Sequence, residues 1–579
     1  MKSSSLLIIA ITTTFLLFSN CKKSTDTSVV KIHLPDEPDK LQPYYSSNAF
    51  SRQLTRLLFY TLMEYDSKTY QYSPLLAKSA PIISKVDSNA NLLSFTYELL
   101  DEAKWDNGKP LLASDFEFTL KLILNPKTAA TKWRPFFSGV KNFVIDPSNP
   151  KKFTIIAEND LLMADAFGSI YILPEYIYDP NGLMKKFKIS ELADAPTASK
   201  LAETDPAIQQ FADFSNDVKF SRSVGSVSGA GPYSLQQWET GQFVLLKKKE
   251  NWWGNNLKSS LYTAIPNQLY YKILKDDAAT IAEIKNGNLD VVGSIKPDNF
   301  VSLQNDAVVK DKYNFENPAT LQYSYYVFNT KNEKLSDVNV RKALAHLLDI
   351  DVVIKKVMKG FAKPVMGPIL STNPYCNQSL KPILFDPSEA KKLLESSGWK
   401  DSNGDGILDK TINGKLTDLK IQLLYAPQGA GKDVTLMYQE NCRKAGVVLD
   451  IVPKDMAAIK NEVKTRNFEM YLMASLADLS TPNLYQAWHS ASDTPEGSNT
   501  SGFGTPETDK MLETIRDTND ENLRKELYKK VQQAIYDAQP YIFIVNPTER
   551  IVINKKFVPV TTIKRTGFGG YVEEALAPK

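Results

Sequence analysis

Side chains able to do chemistry are few in this 579-residue chain, and they lie far apart. His33, His346 and His489 are isolated from one another, so a metal site held by three imidazoles is not expected. DSNGDGILD (401–409) puts oxygen side chains at positions 1, 3, 5 and 9 of a calcium loop, with Gly at 6. Position 12, where a bidentate Glu closes such a cage, is Ile412, and the stretch reads as a solvated loop. QGAGK (428–432) ends like a phosphate loop, but Ala426 stands at the first Gly and Asp433 replaces Ser or Thr. Trp252 and Trp253 offer ring faces to a sugar, or packing at the end of a hairpin. No Ser-His-Asp arrangement, carboxylate pair or activated Cys stands out, so no catalytic residue, metal or cofactor is expected. The locally strongest signals are structural and carry no chemistry.

Composition narrows the classes further. The charge of +3 comes from 69 basic and 66 acidic residues spread along the chain, which gives no concentrated basic face for nucleic acid. Hydrophobic residues make up 42%, as in a globular protein, and the length calls for more than one folding unit. The N-terminus differs. MKSSSLLIIAITTTFLLFSNC has Lys2, an apolar run from Leu6 to Phe18, then small and polar residues ending at Cys21. That run is shorter than the roughly 20 residues needed to span a bilayer and fits a signal-peptide core. The stretch resembles a bacterial lipobox, which implies cleavage after residue 20, lipid on Cys21 and a polar tether over 21–28. Export puts Cys376 and Cys442 in an oxidising compartment, where they either pair or stay as buried thiols; spacing decides neither.

The elements that would position a site alternate between strand and helix. VVKIHL (29–34) and LLSFTYELL (92–100) read as strands, and Ser51 to Met63 has helical spacing. A helix capped by Ser114 or Asp115 follows the turn at Asp106-Asn107-Gly108. GAGPYSLQQWETGQFVLLKKKENWWG (229–254) reads as a hairpin, and a helix is expected over Ala278–Asn286. Asp337 caps one helix, Asp349 or Asp351 the next, and Gly360 ends it. FDPSEAKKLLESSGW (385–399) carries a full set of helix signals: Asp386 at the N-cap, Pro387 at N1, Glu389 at N3 and Gly398 at C′. LKIQLLY (419–425), VVLDIVP (447–453), FEMYLMA (468–474) and YIFIV (541–545) are strands between helices, the last preceded by a helix over Leu523–Ala538. This spacing is that of an α/β fold.

Several of these stretches together resemble the extracellular solute-binding proteins of ABC importers, family 5, which includes oligopeptide- and dipeptide-binding members. YSPLLAKSAP (72–81), KWDNGKPLLASD (104–115), the GAGPY hairpin ending in NWWG, FNT (328–330) before DVNVRKAL (337–344), GFAKP (360–364) and FDPSEAKKLLESSGW carry the likeness. The resemblance implies a periplasmic-binding-protein-like fold of type II: two lobes, hinge strands and an extra subdomain. Lobe I would take 29–66, 221–312 and 546–579, the extra subdomain 67–220 and lobe II 313–545. It implies a monomeric, cofactor-free trap at the periplasmic face of the cell envelope. That trap would capture peptides in the interlobe cleft for an ABC permease and its ATPases; the alternative is an oligosaccharide, nickel chelate or haem. The tail 360–368 is expected to wrap along lobe II. In oligopeptide-binding members an Asp in an A-D-x-x-x-P segment meets the peptide's α-ammonium group. Ala477, Asp478 and Pro482 stand at that spacing, and Asp478 either takes that role or caps the turn before Pro482.

Overall fold

The computed structural model describes residues 28–559 and 576–579, apart from 47, 66–71, 88–90, 159–162, 428, 478–480, 496 and 519. The strand Val29–Leu34 buries Val30, Ile32 and Leu34 and leaves Lys31 outside, the alternation that a pleated strand imposes. It sits in a seven-stranded sheet whose spatial order is Tyr313–Glu316, Ile551–Asn554, Val291–Val292, Val29–Leu34, Gln268–Ile273, Phe243–Lys248 and Tyr233–Glu239. The last two form the expected hairpin, turning at Gly241 with φ +71°. A second, five-stranded sheet runs Val448–Pro453, Lys420–Tyr425, Met470–Leu476, Gln322–Phe328 and Tyr541–Phe543. Separate apolar clusters pack on its two faces, one around Tyr326, Ile421 and Leu344, the other around Tyr325, Trp488 and Tyr541. A four-stranded antiparallel sheet, Ile82–Asp87, Leu92–Glu98, Asn149–Glu158 and Val140–Asp146, forms the extra subdomain and shares a continuous core with the first sheet. The molecule is thus two α/β lobes and one appended layer.

Several helix boundaries move from those read in the sequence. The first helix is Ala49–Leu58 rather than 51–63, because Asn48 accepts from the Phe50 and Ser51 N–H groups and fixes its start. The helix Ala113–Leu124 is capped by neither Ser114 nor Asp115. Asp115 is the third helical residue, accepts from the Leu112 N–H at 2.9 Å and also accepts from Trp105 Nε1 at 3.1 Å. Trp105 and Asp115 of the KWDNGKPLLASD segment therefore fasten its turn to its helix. Asp276 caps Asp277–Asn286, and Glu521–Ala538 starts two residues early under Asp520. The signals at 385–399 give Pro387–Ser396, with Asp386 accepting from two backbone N–H groups and Gly398 at φ +85°.

The DVNVRKAL segment has a structural reason. Asp337 caps Val338–His346, and Arg341, buried, projects from that helix to the C-terminus of Glu521–Ala538. Its guanidinium donates to the carbonyls of Ala538 (2.6 Å from Nη2), Gln539 (3.1 Å), Leu335 (2.7 Å) and Ser336 (2.8 Å). A helix end leaves carbonyls unpaired, and a cation there satisfies them and the dipole together. Each such charge-assisted bond contributes about 1.5–3 kcal/mol. Burial draws the Arg341 pKa down to about 10, which still leaves it charged at neutral pH. The second helix, capped by Asp349, is short: Ile350–Val352 passes into a π-helical turn, Val353–Val357, and ends at Gly360 with φ +84°. The tail beyond it does not lie along lobe II alone: Ala362–Pro364 pairs antiparallel with Val545–Pro547, a segment that crosses between the lobes.

Candidate functional site

Strand direction locates the site. In the seven-stranded sheet Val29–Leu34, Gln268–Ile273 and Val291–Val292 are mutually parallel. Register puts their carboxyl ends at the edge where Glu316 leaves for the second lobe and Ile551 returns from it. In the five-stranded sheet the strands ending at Tyr425, Pro453, Leu476 and Phe543 all point one way, against Gln322–Phe328. Their carboxyl ends lie at Gln322, the residue by which the chain enters that lobe. Both carboxyl edges therefore open onto the same interlobe space, where α/β sheets bind ligands.

The crossing itself is a paired ribbon. Tyr313–Glu316 and Ile551–Asn554 form an antiparallel ladder, Ala319 bridges Thr548, and the Thr320 N–H donates to the Pro547 carbonyl at 3.0 Å. Asn546, buried, donates from Nδ2 to the Thr320 and Gln322 carbonyls at 2.8 and 2.6 Å. Arg550 adds a bond to the Thr548 carbonyl at 2.7 Å and another to the Ile295 carbonyl.

On the lobe II rim, Met470 and Tyr471 are buried while Ala474 and Leu476 emerge, Leu476 with 49% exposure. The ladder continues to Ala477, whose N–H donates to the Leu321 carbonyl at 2.8 Å. Asp478 is the next residue, and it lies outside the described residues, as does Cys21. Further along the chain, the Tyr528 hydroxyl donates to the Pro482 carbonyl at 2.5 Å, and Tyr485 stacks on His489 at 4.1 Å. Under the strand lies an aromatic bed. Tyr325 stacks on Tyr541 at 4.9 Å, Trp488 meets Tyr541 at 4.6 Å, and Tyr325 Oη and Ser475 Oγ hydrogen-bond at 2.6 Å. Burial raises the Tyr325 and Tyr541 pKa values, so these phenols stay neutral. On the lobe I rim, Glu37 is held by Trp238 Nε1 at 2.8 Å, Arg222 Nη2 at 3.0 Å and the Gly241 N–H at 3.1 Å. The rims carry polar groups already tied to the scaffold. Sequence reading missed Glu37, Arg222 and Asn546, because their partners are 185 to 226 residues away.

The other chemical look-alikes are accounted for. Asp401 accepts from the Gly404 and Gly406 N–H groups at 2.7 and 3.0 Å, so its carboxylate is engaged by its own loop. Among the described residues no group of three or more His, Cys, Asp or Glu is arranged to hold a metal ion. Trp252 and Trp253 both donate to the Ala230 carbonyl at 3.0 Å and meet Tyr60 edge-on, which is packing. Cys376 and Cys442 are buried free thiols, and burial pushes Cys376 up to about 11 and raises Cys442 further, so neither is a nucleophile. A polar groove of about 510 Å³ on lobe II is lined by residues of the opposite sheet edge, where Lys334 pairs with Glu469 at 2.6 Å and Arg466 with Asp493 at 2.7 Å.

Comparison with known proteins agrees with this geometry. A family model described as bacterial extracellular solute-binding proteins, family 5 Middle, matches residues 71–496. The chain is 24% identical over 524 residues to the oligopeptide-binding protein AppA of Bacillus subtilis, covering 89% of this chain and 86% of that protein. The structure of that AppA in complex with a nonapeptide aligns over 95% of this chain and 99% of its own, with 20% identity and a TM-score of 0.64. NikA from Brucella suis in complex with Fe(III)-EDTA aligns over 95% and 100%, with 20% identity and a TM-score of 0.70.

Proposed function

We propose that this chain, which belongs to the bacterial extracellular solute-binding proteins, family 5, captures peptides between its two lobes and delivers them to an ABC importer. The family is one of binding proteins, not enzymes. The observation that carries the peptide reading is the match to an oligopeptide-binding relative over most of both chains, joined to a lobe II strand that runs to the cleft edge. An extended peptide beside such an edge gains main-chain hydrogen bonds whatever its sequence, and water-filled pockets tolerate varied side chains. The lobe boundaries proposed are 29–66, 221–312 and 546–579 for lobe I, 67–220 for the extra subdomain and 313–545 for lobe II. The protein works as a monomer.

A non-peptide ligand is the second reading, and the likeness to NikA favours it. The dispersal of His33, His346 and His489 weighs against a nickel chelate held by imidazoles, and the engaged faces of Trp252 and Trp253 weigh against a sugar platform. Mass spectrometry of small molecules released by denaturing the purified protein separates the two. Peptides of mixed sequence are expected; a single non-peptide species contradicts the peptide reading.

Lipid on Cys21 tethers the protein at the periplasmic face of the envelope. No helix among the described residues is long and apolar enough to cross a membrane. Metabolic labelling with a fatty acid is expected to mark the parent and to leave a Cys21→Ser variant unlabelled. Equal labelling of both removes the anchor.

Asp478 is the proposed partner of the peptide's α-ammonium group. What supports this is the Ala477-Asp478-Pro482 spacing and the position of Ala477 at the end of the ladder beside Leu321. Removing one member of a desolvated charge pair costs about 2–5 kcal/mol. Asp478→Ala is thus expected to weaken a good peptide by roughly 30- to 4,000-fold. N-acetylating the peptide removes the same interaction, so it should matter far less to the variant than to the parent. Calorimetry on the four combinations decides: losses that simply add make Asp478 a turn cap.

A further inference from the structure

Phe361 belongs to the lobe II signature by sequence, yet its side chain is not in that lobe's core. It follows Gly360, and its N–H bonds the Met358 carbonyl at 2.8 Å. Its ring is 8% exposed and packs within a small lobe I cluster that includes Val292, Ile295, Phe300, Tyr313 and Val552. Phe300 meets it edge-on at 5.4 Å, and the Arg550 guanidinium lies 5.6 Å from its ring centroid. Two members of this cluster, Tyr313 and Val552, are in the strands from which both covalent crossings start. On its backbone side the Phe361 carbonyl accepts the Thr548 N–H at 2.9 Å, and the next three residues pair with Val545–Pro547. Segment 361–364 is therefore a third, non-covalent crossing laid along the two covalent ones.

We propose that Phe361 is a pivot: a contact kept in open and closed states that confines lobe II to rotation about the hinge ribbon. The reason is where it lies. Points on a rotation axis hardly move during hinge closure, and a contact there survives it, whereas contacts at the cleft mouth form and break. Two paired strands alone resist separation but tolerate twisting, as isolated two-stranded ribbons do. A ring seated in lobe I, on a strand bonded to the ribbon, gives that ribbon a third point of attachment and removes the twist. The inference rests on the fold and not on which ligand is bound.

The test uses the ligand-free full chain carrying Cys21→Ser, with spin labels on Cys introduced at exposed Glu239 in lobe I and exposed Lys391 in lobe II. Cys376 and Cys442 are buried and do not compete for label. Pulsed dipolar spectroscopy should give Phe361→Ala an interlobe distance distribution broader than the parent's by more than the spread between repeats. Phe361→Leu, which keeps apolar volume, should fall between them. An unchanged distribution overturns the proposal. So does a distribution of parental width with a shifted mean, which would make Phe361 a contact of one state only. Should Phe361→Ala fail to fold, the same readings on Phe361→Leu decide.

Discussion

Everything in this molecule depends on the backbone ladder that joins its halves. Tyr313–Glu316 pairs with Ile551–Asn554 inside one sheet, and the same two chain segments continue through Ala319 and Thr548 into the other. Backbone groups leaving a sheet must find partners or water, and here they find each other. Asn546 completes the pairing by bonding two carbonyls of the opposite segment. Because the segments are antiparallel and leave both sheets at carboxyl edges, the lobes can only be joined with those edges turned toward a common space. The cleft follows from strand direction.

Rigidity on either side of the ribbon suits a trap. The lobe II rim rests on Tyr325 stacked on Tyr541, with Trp488 tilted against Tyr541, and the lobe I rim is tied down by Glu37 to Trp238, Arg222 and Gly241. Side chains that are already bonded lose little further entropy when a ligand arrives, which favours affinity. Motion is left to the few residues between the sheets. Such division of labour explains why groups with reactive potential are either buried, like Cys442, or engaged locally, like Asp401.

What the residues revealed in advance depended on how local the cause was. Asp386, Pro387 and Gly398 mark a helix within a dozen residues, and the structure places it there. The start at Ala113 is not legible locally, because Asp115 is an ordinary N-cap type that here bonds Trp105 and the Leu112 N–H instead. The DVNVRKAL segment was visible as a motif but not as a mechanism, since Arg341 caps a helix whose end lies 197 residues on. The tail after Gly360 was expected to hug its own lobe; its pairing with Val545–Pro547 and the burial of Phe361 in the other lobe depend on contacts that no local pattern encodes. For ligand contacts the residues offer only a resemblance at Ala477, Asp478 and Pro482, and Asp478 lies outside the described residues.

A ligand that bridges two hinged lobes selects their closed arrangement. Small-angle X-ray scattering tests it most directly, on protein stripped of co-purified material and then saturated with a peptide that calorimetry shows to bind. A smaller radius of gyration is expected with peptide than without. Curves that superpose in the two conditions, with binding confirmed on the same sample, contradict it.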